Sequence, residues 1–247
     1  MQFNETSIKD PAFFAENRVA AHSDHVAYAS SQELAAGESS LRHSLNGLWK
    51  FHYALNPGQI IPGFEANDYD CSGWADIPVP AHMQMEGYGV PQYANTQYPW
   101  DGCDAVEIGE IPETFNPVGS YVRTFFLPEH MKGKRVFVTF DGAESCLAVW
   151  LNGHYVGFTS DSFTPHAFEL TPHLRAGENR LACRVYRYSA GSWLEDQDFI
   201  RFSGLYRDVW LYAVGDAHIE DVRVKTLLDD AYTDAVLDVR LRMLLAP

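Results

Sequence analysis

The chain has 247 residues, of which 46% are hydrophobic and 14% aromatic, so it can bury the core of one large domain and is not disordered. Its 33 acidic and 18 basic residues give a formal charge of −15, which disfavours nucleic acid as a partner because phosphate backbones are repelled. The chain lacks a run of 18 apolar residues and a secretory signal, so we expect no membrane partner and a cytoplasmic location.

The first part of the chain predicts few regular elements. Residues 1–40 are expected to form an irregular arm, in which the capping box Ser30–Glu33 begins one short helix that ends near Gly37. Aromatic and polar residues alternate over Ser44–Leu55, which predicts a half-buried strand. The long proline-containing passage Val79–Val118 resembles the loops that carry function in compact domains.

From Ser120 onwards the sequence predicts a dense series of short strands. Asn152–Gly153 lies between two apolar runs, which is the strongest short-range signal for a β-hairpin. Further strands are predicted near residues 120–128, 135–142, 167–171, 179–188 and 208–214. Short strands separated by turns indicate an all-β fold, an antiparallel β-sandwich. Residues 217–247 predict two more strands, which cannot stand alone as a domain and suggest a fragment of a longer protein.

The stretch Tyr188–Leu211 is unusual because acidic residues are interleaved with large aromatic ones. Glu195, Asp196 and Asp198 lie within four positions, and Arg201 follows them. Buried charges must be paired or bound to a cation. The stretch therefore predicts either a solvated acidic loop with a buried Arg–Asp pair, or an oxygen-rich corner that binds a hard cation or sugar hydroxyls.

A second polar residue among aromatics is Asn95, which lies between Tyr93 and Tyr98. The favoured interpretation is a turn asparagine that hydrogen-bonds its own backbone. The alternative is sugar recognition, with rings stacked on the sugar and the amide bound to its hydroxyls. These residues alone leave both interpretations open.

Motifs of known catalytic sites are absent from the sequence. It contains no GxSxG elbow, no P-loop and no HExxH motif. Glu195 and Asp198 are the only clustered carboxylates that could serve glycoside hydrolysis. They are too close in sequence to lie on opposite sides of a sugar ring, so no catalytic residue is assigned.

Several long motifs, in a fixed order, carry a family resemblance. They are SLNGLWKF, QMEGYG, PQYANTQYPW, NPVGSYVRTFFLP, FDGAESCLAVWLNGHYVGFTSDSFTPHAFELT and LRAGENRLACRVYRYSAGSWLEDQDFIRFSGLYRDVWL. This series resembles the N-terminal sugar-binding domain of family 2 glycoside hydrolases, and most closely the β-galactosidase branch. The resemblance implies a jelly-roll sandwich over residues 41–216 and the truncated start of an immunoglobulin-like domain over 217–247.

The resemblance also implies roles for individual residues. Asn95 would contact galactosyl hydroxyls, and Asp198, the second aspartate of EDQD, would contact a sodium ion and the O4–O6 side of the sugar. A downstream barrel would supply both catalytic glutamates, the magnesium site and the remaining sodium ligands, so we expect this chain to bind neither ion firmly. The residues expected to shape the loop or the sandwich are Glu195, Asp196 and Arg201, together with Arg207 and Asp208 as a structural ion pair.

The sequence therefore predicts a non-catalytic domain of a retaining β-galactosidase, inactive on its own. Its expected partners are a galactoside substrate and the remaining domains of the same enzyme, which is expected to be a homo-oligomer. Two alternatives remain: a free-standing lectin-like carbohydrate-binding module, and the same domain of a β-glucuronidase or β-mannosidase.

Overall fold

The computed structural model describes residues 3–195 and 198–245, and β-strands dominate them. The strands are β1 (Ala15–Glu16), β2 (Arg42–Ser44), β3 (Gly47–Ala54), β4 (Ala75–Val79), β5 (Gln92–Ala94), β6 (Val118–Phe126), β7 (Arg135–Phe140), β8 (Ala143–Glu144), β9 (Cys146–Leu151), β10 (His154–Thr159), β11 (His166–Glu169), β12 (Glu178–Tyr186), β13 (Phe199–Arg201), β14 (Gly204–Leu205), β15 (Val209–Val214), β16 (Ala217–Leu228) and β17 (Ala235–Leu245). The all-β prediction is confirmed.

Helical structure is limited to short segments. The α-helix α1 spans Ser31–Ala36, and 3-10 turns span Glu5–Lys9, Pro57–Gln59, Met83–Glu86, Glu129–Met131, Thr171–His173 and Ala190–Trp193. The predicted helix start is confirmed, because the Ser30 hydroxyl accepts a hydrogen bond from the Glu33 amide. The Glu33 carboxylate accepts from the amide of Ala29 and not from that of Ser30, so the second hydrogen bond of a capping box is shifted by one residue. Gly37 ends the helix in the left-handed conformation, with φ 72°. None of the helices in the described ranges has the length and apolar character needed to cross a membrane.

Two antiparallel sheets form the sandwich. One has seven strands in the order β1-β10-β9-β12-β6-β3-β4, and the other has four in the order β11-β7-β15-β2. Their facing side chains form the main core, which includes Trp49, Leu147, Val138, Phe168 and Leu211, each at most 1% exposed. Where apolar and polar residues alternate along a strand, the sequence indicates which side chains face this core, because successive side chains point to opposite faces of a sheet.

Part of the outer face of the seven-stranded sheet is buried as well. Phe3 of the N-terminal arm and Phe64 of the loop after β3 pack with Trp150 and Tyr186 in a second apolar cluster. Strand β9 is consequently buried at every position. This cover explains why the strand reads as a continuous apolar run, which is typical of strands buried on both faces.

The β9–β10 connection confirms the predicted hairpin. Asn152 has φ 53° and Gly153 has φ 81°, the positive values that a type I′ turn requires. The Asn152 side chain also donates to the His173 carbonyl and to the Asn179 side chain, at 2.8 Å each. The turn thus both reverses the chain and ties it to the connection before β12.

Strands β16 and β17 form a separate two-stranded hairpin. It is tied to the arm by the Asp221 carboxylate, which accepts a hydrogen bond from the Ser23 amide at 2.8 Å. Many of its apolar side chains are exposed, among them Val224, Leu237 and Leu241. The predicted division of the chain at residues 41 and 217 stays a prediction.

Candidate functional site

Two short strands far apart in sequence carry the candidate site. Strands β5 and β13 pair antiparallel, with Ala94 opposite Phe199, Tyr93 opposite Ile200 and Gln92 opposite Arg201. Side chains of a strand point alternately to opposite faces. Ala94 and Arg201 therefore face the protein and are 1% and 5% exposed, whereas Tyr93 and Ile200 face outwards and are 60% and 42% exposed.

Asn95 and Asp198 lie one position beyond this ladder, where the same register would place them opposite each other. Both are exposed and share the outer face with Tyr93. The Tyr93 hydroxyl donates a hydrogen bond to Asp198 Oδ1 at 2.6 Å, although the two residues are 105 positions apart. The structure therefore brings together the two residues that the sequence analysis singled out for sugar binding.

The Tyr93 hydroxyl is bound to the Asp198 carboxylate, and this hydrogen bond raises the pKa of Tyr93 above its ordinary value. The interpretation first favoured for Asn95, a turn asparagine that hydrogen-bonds its own backbone, stays a prediction. In the sequence, Tyr93 was noted only as an aromatic residue next to Asn95. The pairing of β5 with β13, which brings it to Asp198, leaves no local pattern in the sequence.

The acidic stretch before Asp198 is held by hydrogen bonds. Glu195 accepts from the Ser162 amide at 3.0 Å and from the Ser162 hydroxyl at 2.6 Å, and the Arg201 guanidinium donates to the Glu195 carbonyl. These contacts are what supports the loop-shaping roles predicted for Glu195 and Arg201. Asp196 lies outside the described residues, so its predicted role stays a prediction.

The ion pair expected between Arg207 and Asp208 is not formed in the described part of the chain. Arg207 donates instead to the Phe163 carbonyl at 2.8 Å, and Asp208 accepts from the Asn46 side chain at 2.9 Å. Arg207 stands in a bend before β15, and the two side chains find their partners in different segments that are distant in sequence. The expected pair is therefore corrected to two separate contacts, both of which anchor the start of β15.

A cleft of about 590 Å³ lies beside the Asn95–Asp198 pair. Its lining side chains are mostly aromatic, and Tyr93 belongs both to the cleft and to the outer face of the β5–β13 ladder. The His82 ring is stacked between Phe202 and Tyr206, with centroid distances of 4.4 and 4.9 Å. Glu144 is the acidic residue of the lining and is only 7% exposed.

Glu144 is held in an environment that favours its neutral form. Burial and the nearby Glu195 carboxylate raise the pKa of Glu144 to about 8, and the charges of Arg201 and Arg187 only partly offset this. Its strand β8 pairs with β14, which places Glu144 opposite Gly204. Sequence reasoning missed this residue. A single glutamate at the start of the apolar run 143–151 was the signal that could have indicated a buried carboxyl group.

We expect Glu144→Gln to change the dependence of stability on pH. Folded Glu144 keeps its proton up to about pH 8, whereas in the unfolded chain a glutamate releases it near its ordinary pKa. The folded state therefore binds more protons between these values, and the free energy of unfolding falls as pH rises through the window. The glutamine variant lacks this loss. The difference in free energy of unfolding between variant and parent should therefore shift in favour of the variant by a few kcal/mol by pH 8.

Thermal unfolding of both proteins from pH 5 to pH 8 measures this difference. Glu178→Gln is the matched control, because Glu178 is exposed. The same pH trend in the control, or a constant difference across the range, would contradict the assignment of the effect to Glu144.

A family of known proteins matches the greater part of this sandwich. Residues 42–215 match the family model described as glycosyl hydrolases family 2, sugar binding domain. The chain belongs to this family, and the predicted resemblance is confirmed.

The curated relatives point to one branch of the family. The β-galactosidase of Halalkalibacterium halodurans is 49% identical over 97% of this chain and 24% of its own length. The β-galactosidase of Streptococcus thermophilus is 45% identical over 96% of this chain and 23% of its own length. The chain thus spans about a quarter of the length of these relatives.

Solved structures confirm the fold. A β-glycosidase from Bacteroides vulgatus matches 83% of this chain with a TM-score of 0.62 and 23% identity, and 24% of its own chain is covered. A β-glucuronidase from Bacteroides uniformis matches 82% with a TM-score of 0.62 and 22% identity, and 22% of its own chain is covered. At these identities the likeness concerns the fold alone.

Proposed function

We propose that this chain is the sugar-binding domain of a retaining β-galactosidase and that Asn95 and Asp198 form part of the galactosyl subsite. The observation that carries the proposal is their meeting on one exposed face next to the aromatic cleft. The β-galactosidase relatives support the choice of enzyme. In this proposal the whole enzyme hydrolyses terminal β-D-galactosides, and both catalytic carboxylates lie outside this chain.

The two side chains suit the recognition of a neutral sugar. An amide donates and accepts hydrogen bonds, and an ionised carboxylate accepts them, so together they can hold adjacent hydroxyl groups in one orientation. Fixing the sugar ring in this way supports catalysis by holding the substrate in reactive geometry. The role of this domain is therefore to position the substrate.

The exposed carboxylate also favours galactosides over glucuronides. Asp198 is proposed to face the O4–O6 side of the sugar, where a glucuronide carries its own carboxylate. Two like charges about 4 Å apart repel by roughly 1 kcal/mol even in bulk water, and more strongly near protein. This repulsion applies where no cation is bound to Asp198. The β-glucuronidase alternative is therefore disfavoured chiefly by the β-galactosidase relatives.

Asp198 is also proposed as a partial sodium site. Carboxylate and amide oxygens are suitable donors for a hard cation. Within the described ranges no group of three or more His, Cys, Asp or Glu side chains could hold a metal ion, so further ligands are proposed from the rest of the enzyme. Bound sodium would supply a fixed positive charge beside the sugar hydroxyls. Magnesium is proposed for the rest of the enzyme, and no residue of this chain is assigned to it.

Hydrolysis of an aryl β-galactoside tests the proposal directly. We expect the full-length enzyme to hydrolyse it, and the 247-residue chain to show no turnover above background at high protein concentration. An aryl β-glucuronide serves as the control substrate and should remain intact with the full-length enzyme. Sustained turnover by the chain alone, abolished by substitution of Glu195 or Asp198, would show that it carries its own acid–base pair and would refute the proposal.

The assembly and location of the whole enzyme complete the proposal. We propose a cytoplasmic enzyme that forms homo-oligomers and in which this domain contacts the remaining domains of the same polypeptide. The exposed apolar side chains of the β16–β17 hairpin support a contact with those domains, because apolar surfaces of this kind usually mark interfaces.

A further inference from the structure

We propose that Tyr93 is a positioning residue of the galactosyl subsite, whose hydroxyl holds Asp198 in one arrangement that leaves the second carboxylate oxygen free for the ligand. This inference rests on the proposed function and deepens it. The inference assigns a role to Tyr93, whereas the roles assigned so far belong to Asn95 and Asp198.

The ladder alone does not fix the two binding residues. Strands β5 and β13 have three residues each, and Asn95 and Asp198 lie outside their registered pairs. Both side chains are exposed, so surrounding core atoms do not hold them. A polar side chain in this situation samples several rotamers, and ordering it on binding costs free energy.

Tyr93 is placed to supply the missing constraint. Its partner in the register is Ile200, and Asp198 is two positions from Ile200, so Tyr93 and Asp198 are diagonal neighbours on one face. A long aromatic side chain can bridge this diagonal. The hydroxyl reaches Asp198 Oδ1 at 2.6 Å, which is a short hydrogen bond to a charged acceptor and thus a strong one.

The direction of the hydrogen bond decides what the site offers to a ligand. The Tyr93 hydroxyl has one proton, which it gives to Asp198 Oδ1. Asp198 Oδ2 therefore remains as an acceptor, which suits a hydroxyl donor or a hard cation.

The exposure of Tyr93 argues against a role in packing. The residue is 60% exposed, so its ring contributes little to the core and removal of the hydroxyl alone leaves the fold intact. Tyr93→Phe is thus a mild substitution that deletes only the hydrogen bond to Asp198. Tyr232→Phe is the matched control, because Tyr232 is 79% exposed on the distant β16–β17 turn.

The full-length enzyme, assayed with an aryl β-galactoside across sodium concentrations, tests the inference. We expect Tyr93→Phe to require roughly tenfold more sodium for half-maximal activity and to raise KM more than it lowers kcat, with an unchanged unfolding temperature. The line width of ²³Na in NMR spectra gives a second readout that is independent of turnover. It should show weaker sodium binding in Tyr93→Phe and parental binding in Tyr232→Phe.

A double-mutant cycle separates the possible results. If Tyr93 acts through Asp198, adding Tyr93→Phe to Asp198→Ala should change neither readout further. An unchanged sodium requirement in Tyr93→Phe, or an effect that persists in the Asp198→Ala background, overturns the inference and leaves the proposed function standing. If Asp198→Ala itself has no effect, the proposed function fails.

Discussion

Asp198→Ala in the full-length enzyme is expected to lower kcat/KM for an aryl β-galactoside by about 100-fold, and to remove most of the activation by sodium. The reason is geometric, because Asp198 is exposed beside the aromatic cleft and keeps one carboxylate oxygen free of its hydrogen bond to Tyr93. Removing the carboxylate deletes a ligand of the proposed cation and a hydrogen-bond acceptor for the sugar. The loss should persist when the cation is in excess.

Steady-state kinetics with sodium varied over several decades measures this effect. Asp230→Ala is the matched control, since it removes an exposed aspartate from the distant hairpin turn and the same charge from the chain. Parental kinetics of Asp198→Ala at every sodium concentration would contradict the assignment. The same loss of kcat/KM in Asp230→Ala would show that the effect comes from the change in net charge.

The largest effect on stability is expected from Phe168→Ala in the core. The Phe168 ring is fully buried between the two sheets, 6.4 Å from the Phe140 ring in an edge-on arrangement. A Cβ atom on Gly157 would lie 2.7 Å from it, so the space around the ring is closely filled. Deleting a buried phenylalanine costs about 3–5 kcal/mol through lost transfer free energy and the cavity left behind.

Thermal unfolding of the 247-residue chain tests this expectation. A loss of this size should lower the unfolding temperature by roughly 10 °C in a domain of this length. Phe126→Ala is the matched control, because that ring is 66% exposed and its removal leaves no cavity. Equal shifts in the two variants would show that Phe168 is not held in a close-packed core.

Much of the fold was predictable because its signals are local. The helix start at Ser30–Glu33 and the Asn152–Gly153 turn depend on the chemistry of a few adjacent residues. The sandwich strands could be recognised because period-two alternation follows from the geometry of a strand with one buried face. The family could be recognised because several long motifs occur in one order along the chain.

Other features depended on which distant segments pair. Asn95 and Asp198 could be marked one at a time, but only the pairing of β5 with β13 brings them together and gives Tyr93 its hydrogen bond to Asp198. The raised pKa of Glu144 likewise depends on residues distant in sequence, since β8 pairs with β14 and the Glu195 carboxylate lies nearby. The failed expectation for Arg207 and Asp208 has the same origin.

By itself, the sequence determined the strands, the turns and the family, because each is encoded in the spacing and chemistry of nearby residues. Only the tertiary structure decided how the candidate site is assembled, which carboxyl is favoured in its neutral form and which hydroxyl binds Asp198. These properties depend on distances between side chains far apart in the chain, such as the 2.6 Å between Tyr93 and Asp198, and on burial by segments whose approach no local pattern specifies.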